Sequence, residues 1–169
     1  SAIFITYTIT PHLGFLHWLR RVEYLALLFI GITVIKDTRS LDFYLKLFGI
    51  VIIVAFIYGL GQKYLTWPVI ITQNLEYSKG IALRWIPGSH INSTFAGHYD
   101  LATFLVLLLP IFIALFFTVK GARSKLFFLI VVISGLWLMV NAISRISVVS
   151  YLLGVSVTLL FLRKCKALP

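Results

Sequence analysis

Between residues 126 and 162 the chain carries one charged side chain, Arg145, within the stretch GLWLMVNAISRISVVSYLLG. A helix over that whole interval would be about 55 Å long at ~1.5 Å per residue, against a hydrocarbon core of about 30 Å, so it cannot be a single membrane span. The chain is therefore expected to turn near 144–147 and to cross twice, over 126–144 and 146–162. The run 101–119 is equally free of charge and gives a third span. Hydrocarbon offers no partner to a backbone N–H or C=O, so each crossing must satisfy its own hydrogen bonds as a helix. Two further spans are expected at about 20–36, uncharged from 24 to 35, and at about 41–60, where Asp42 and Lys46 have to reach back to the interface.

Composition agrees with this pattern. Hydrophobic residues make up 60% and charged residues 12% of the chain, against about 45–50% and about 25% in soluble domains, and the mean hydropathy is +1.02. The expected architecture is all-α, one polytopic transmembrane helix bundle of about five spans over 1–169, with a long outer loop at 61–100. The chain begins at Ser1 with an apolar run over 2–9 and no basic leader. A cleaved signal peptide is therefore not expected, and the sequence reads as a fragment of a longer protein. The single cysteine, Cys165, lies in the basic tail RKCK, where no intrachain disulfide is available to it.

The net charge of +10 would point to nucleic acid in a soluble protein, but these cations sit between spans and orient them. Placing 36–46, 120–125 and 163–166 in the cytoplasm puts nine Lys and Arg there: Lys36, Arg39, Lys46, Lys120, Arg123, Lys125, Arg163, Lys164 and Lys166. The other six, Arg20, Arg21, Lys63, Lys79, Arg84 and Arg145, face outward, and four of them are arginines. Orientation needs positive charge of either kind, whereas the planar guanidinium also grips phosphate with two parallel hydrogen bonds. The outer face is thus a candidate for phosphate recognition, with lipid headgroups as the plainer partner of Arg20 and Arg21.

Forty residues at 61–100 are long enough to need structure of their own. Over 67–79, Pro68 suits a first helical turn and Gly80 a helix end, which predicts a short interfacial helix. The following RWIPGSHINSTFAGHYD is irregular, rich in hydrogen-bonding groups, and leads straight into the span at Leu101. His90 and His98 stand eight apart without a CxxC, an HExxH or a carboxylate cluster, so no metal site is expected. Gly59, Gly61 and Gly135 read as helix-packing positions. Asp100 opens a span, where a carboxylate serves as a cap or first-turn acid, as the partner of an outer arginine, or as a base; His98 shares the last role. Arg145, with Ser144, Ser147 and Asn141 about it, reads as a cation presented at an outer cavity and oriented by those groups.

The order Arg84, STFAGHYDLATFLVLLLPI, a basic connection, then SRISVVSYLLG resembles the bacterial O-antigen ligase and polymerase family of membrane glycosyltransferases. That family shows an arginine, a stretch of the type F-G-N-P-N-x-x-A opening a span, and a later Ser-Arg-Gly-Ala opening another. Here Gly97, His98, Tyr99 and Asp100 stand at the Gly-Asn-Pro-Asn positions, and Ile146 stands where the family has glycine. The match covers about residues 84–160. It implies a GT-C-like, metal-independent enzyme without cofactor on the outer face of the bacterial inner membrane. Such an enzyme moves a glycan from a polyprenyl diphosphate carrier to a sugar hydroxyl on a glycan or lipid acceptor. By position, the diphosphate would be held by Arg84 and Arg145, with Arg21 and His90 as additional substrate contacts and Asp100 or His98 as the candidate catalytic group. A non-enzymatic transporter of an anion or small solute is the alternative, although no charged residue lines the inner halves of the three uncharged spans. Membrane lipids are expected partners and nucleic acid is not.

Overall fold

The computed structural model describes residues 18, 19, 22, 23, 26, 29, 31, 33, 37–71, 76 and 79–167. Within these run four long helices: α1, Thr38–Tyr64; α2, His98–Thr118; α3, Ala122–Asn141; and α4, Arg145–Ala167. All four are long and apolar enough to cross a membrane. The span expected over 20–36 lies largely outside the described residues. Helix ends move from the sequence expectation: α1 extends beyond 41–60 at both ends, α3 runs over Ala122–Asn141 rather than 126–144, and the following turn closes before Arg145. Apolar content located the spans, and the caps placed their ends. Asp37 accepts the Ser40 N–H at 2.8 Å through Oδ1 at the start of α1, and hydrogen bonds from Ser40 hold its carboxyl below the usual carboxylate range. Asp42 and Lys46 pair with each other at 2.6 Å one turn apart, so neither charge is carried alone.

The chain divides into two compact units, Ser1–Lys46 and Leu47–Pro169. In the second, α2 packs against α3 and α4. Leu101, Leu105, Leu109 and Phe112 of α2 are fully buried, and the Phe112 and Phe128 rings stack at 6.0 Å between centroids. Ile52 and Ala55 of α1 join the same core. Glycines let these helices approach. A Cβ on Gly59 would stand 2.9 Å from Leu138 Cδ2, one on Gly61 would strike the Trp67 ring, and one on Gly135 would stand 2.5 Å from Leu109 Cδ2. Gly135→Val is accordingly expected to lower stability in detergent by about 1–3 kcal/mol through overpacking, read as a lower unfolding midpoint. Gly121→Ala, whose Cβ meets nothing closer than Ser124 Oγ at 3.9 Å, is the near-neutral control. Pro110 lies inside α2 and packs 3.2 Å from the Cβ position of Gly154, which seats α4 against α2. Among the described residues, little of α4 is buried against other elements.

The connection from α1 to α2 departs from the expected interfacial helix at its start. Pro68–Val69 (β1) is extended and pairs antiparallel with Leu83–Arg84 (β2), in the register Pro68 opposite Arg84. At Gly80, where a helix end is expected, φ is +79° and the Ile81 N–H donates to the Glu76 carbonyl at 3.1 Å, as in a left-handed C-terminal cap. Residues 72–75, 77 and 78 of that predicted helix lie outside the described residues.

Candidate functional site

The segment before α2 folds back into the bundle. Ile91, Asn92 and Ser93 are buried to 1%, 3% and 0% exposure although none belongs to a helix or strand. Irregular backbone at membrane depth is tolerable where protein groups replace water. Gln62 supplies most of them: its Oε1 accepts the Ser93 N–H at 2.9 Å, and its Nε2 donates to Ser93 O, Asn92 Oδ1 and Pro68 O at 3.2–3.3 Å. Ser93 Oγ donates to the carbonyl of Ala55, nine residues before the end of α1 and so about 13 Å along that helix at ~1.5 Å per residue. Asn92 Nδ2 donates to Ile70 O and Phe95 O, and the Ile91 N–H donates to Asn141 O at the end of α3. The re-entrant segment is therefore held by α1, the hairpin and α3 together.

Lys63 fastens the same end. Its Nζ donates to Asn141 Oδ1 at 2.7 Å and lies 5.6–5.9 Å from the ring centroids of Tyr64, Trp85 and Trp137. A cation in the last turn of α1 also complements the helix dipole. The sequence alone gave Lys63 no role beyond outer charge.

Between the hairpin, the re-entrant segment and the first turn of α2 lies a cavity of about 780 Å³, within the ~300–1,000 Å³ of small-molecule sites. Arg84, Ser89, His90, His98, Tyr99 and Asp100 contribute its polar lining. Its wall is shaped by a turn in which Gly88 has φ +90° and the Ser89 N–H donates to Ile86 O at 3.0 Å, the arrangement that Pro87-Gly88 favours. Trp85 Nε1 donates to Ser89 O at 3.0 Å and fixes that indole. The His90 and His98 rings stack at 4.2 Å, and His98 meets Tyr99 at 4.0 Å between centroids.

Four of the residues singled out from sequence, Arg84, His90, His98 and Asp100, thus meet at one cavity. Asp100 lies in the first turn of α2, where the dipole favours a carboxylate, but the cap residue Gly97 leaves that end without a side-chain cap bond. Among the described residues Asp100 has neither the cap hydrogen bond nor the arginine partner considered for it. Arg145 is exposed, is the first residue of α4, and is not among the cavity-lining residues. The groups expected to orient it are engaged elsewhere. Ser144 and Ser147 hydroxyls bond each other at 2.7 Å, and Asn141 holds Lys63 and donates to Trp137 O. Arg145 does share an end of the bundle with the cavity, because the Ile91–Asn141 bond ties the re-entrant segment to the α3 end that precedes it. A cation at a helix N-terminus opposes the dipole, so the position gains nothing for α4 itself. Arg20 and Arg21 lie outside the described residues.

The turn before Arg145 is strained. Ile143 has φ 52°, a left-handed conformation that costs a β-branched residue roughly 1–3 kcal/mol. Ile143 is half exposed, so Ile143→Gly is expected to raise stability by about 1 kcal/mol after the entropy of glycine is charged against it. An unfolding curve in detergent reads the shift, and a loss of stability would show that the turn is not strained. Comparison of the chain with protein-family models, curated proteins and solved structures gives no match.

Proposed function

We propose that the protein is a membrane glycosyltransferase of the O-antigen ligase and polymerase type, moving a glycan from a polyprenyl diphosphate carrier to a sugar hydroxyl in cell-surface polysaccharide assembly. In this reading it lies in a bacterial inner membrane with the cavity facing outward. The observation that supports it is the meeting of Arg84, two histidines and Asp100 in one cavity at the end of a bundle of apolar helices. A lipid-borne substrate keeps its tail beside those helices and brings its diphosphate to their ends, where the Arg84 guanidinium makes no hydrogen bond or ion pair with a described residue and has its donors free.

The chemistry follows from the groups present. The bond between the sugar's anomeric carbon and the diphosphate oxygen breaks, and the carrier leaves with the electron pair as polyprenyl diphosphate. Guanidinium donors of Arg84 stabilise the charge that grows on that oxygen. The acceptor hydroxyl oxygen forms the new glycosidic bond, and its proton passes to His98 or Asp100. Arg145, exposed at the same end, draws the anionic headgroup toward the cavity. The test is direct: the protein in membranes, given a polyprenyl-diphosphate-linked oligosaccharide and an acceptor glycan, is expected to release polyprenyl diphosphate as the glycan grows. No release from correctly inserted protein would refute the reading.

A further inference from the structure

The cavity wall is more aromatic than a phosphate site requires. Trp85, His90, His98 and Tyr99 all line it, Tyr99 is 65% exposed, and Ile86 beside them is 66% exposed. These rings are held rather than loose. Trp85 is fixed through Nε1 to Ser89 O, and His90, His98 and Tyr99 brace one another at 4.2 and 4.0 Å. Because His90 and His98 already close on each other, there is no slot into which a second flat ring could slide. What the wall offers is the exposed Tyr99 ring at one end of that stack, in a cavity also lined by Arg84, Ser89 and Asp100.

We propose that Tyr99, braced by the His90–His98 stack, is a platform for one pyranose ring of the substrate. A pyranose presents an apolar face of axial C–H groups, carrying partial positive charge, to the negative face of an aromatic ring. Its hydroxyls project around the edge, where a carboxylate, a hydroxyl and a guanidinium accept and donate hydrogen bonds. The choice of a sugar over another polar ring rests on the glycan-transfer reading. The platform is separable from Arg84, because stacking needs no charge and phosphate binding needs no ring.

The measurement is saturation-transfer NMR on the protein in nanodiscs with free methyl glycosides of glucose, mannose, N-acetylglucosamine and rhamnose, none carrying phosphate. Saturation is expected to concentrate on axial C–H protons of at least one glycoside. Tyr99→Ala is expected to weaken that binding about tenfold and Tyr99→Phe to preserve it. Tyr99 is largely exposed, so neither change threatens the fold. The same titrations are repeated with inorganic pyrophosphate. Displacement of the glycoside identifies a donor sugar that shares space with the diphosphate, and simultaneous binding identifies an acceptor sugar. Loss of pyrophosphate binding in Arg84→Lys with the glycoside retained separates the two sites. Absence of saturation transfer to all four glycosides, or equal transfer in wild type and Tyr99→Ala, overturns the platform. Failure of pyrophosphate to bind wild type counts against the diphosphate reading alone.

Discussion

Gln62→Leu is expected to destabilise the protein by about 3–5 kcal/mol, measured as a shift of the denaturant midpoint in detergent at constant slope. Gln62 is 1% exposed and serves both backbone groups of Ser93 and the carbonyl of Pro68. Leucine fills nearly the same volume, so the loss is not a cavity effect. It is the desolvation of Ser93 N–H and C=O left without partners, at roughly 1–3 kcal/mol each in an environment without water to replace the amide. Gln62→Glu separates the two halves of the interaction: a carboxylate still accepts from Ser93 N–H but cannot donate to Ser93 O, and it adds a buried charge. A midpoint unchanged in Gln62→Leu would mean that the re-entrant segment does not depend on this amide. Loss of stability should be accompanied by loss of the cavity, since the segment that Gln62 holds leads directly into His98 and Asp100.

The spans were legible in the sequence because hydrocarbon tolerates so little: three uncharged runs and one interrupting arginine were enough to require α2, α3 and α4. The turn at Ile86–Ser89 was equally local, since Pro-Gly at its centre favours a positive φ at Gly88. Helix ends were less so. Ser124 and Lys125 belong to α3 although charge counting begins the span at 126, because a helix can continue into the interface beyond its apolar part. The hidden half of the site is non-local. Gln62 and Ser93 are 31 residues apart, and Lys63 and Asn141 are 78 apart. Neither pair has a spacing that a helix or strand period would expose. Pro68 suited a first helical turn, but the Tyr58 hydroxyl and Gln62 amide both bond its carbonyl and hold it in an extended pair with Arg84. The histidines and Asp100 were visible as residues of interest, and their meeting with Arg84 follows from that pairing.

In the proposed glycan transfer, Arg84→Lys and the charge-removing Arg145→Gln should reduce turnover in different ways, and the difference tests the roles assigned to them. Arg84 lines the cavity, where a guanidinium can place two donors against the departing diphosphate oxygens. Lysine keeps the charge but loses the fork, so an interaction that strengthens as the leaving charge develops is weakened. Turnover should fall by about 10²–10³, in kcat more than in KM. Arg145 lies outside the cavity lining and is exposed at the start of α4, with no described residue holding its guanidinium. In that reading its charge attracts the carrier headgroup equally in the ground state and the transition state, so removing the charge in Arg145→Gln raises KM and leaves kcat nearly unchanged. The expected loss is about tenfold in kcat/KM, shrinking as salt screens the attraction. An equal collapse of kcat in both variants would mean that the diphosphate bridges the two arginines, drawing Arg145 into the reacting site. Unchanged kinetics in Arg84→Lys, with normal insertion, would remove the diphosphate from this cavity and with it the glycan-transfer reading.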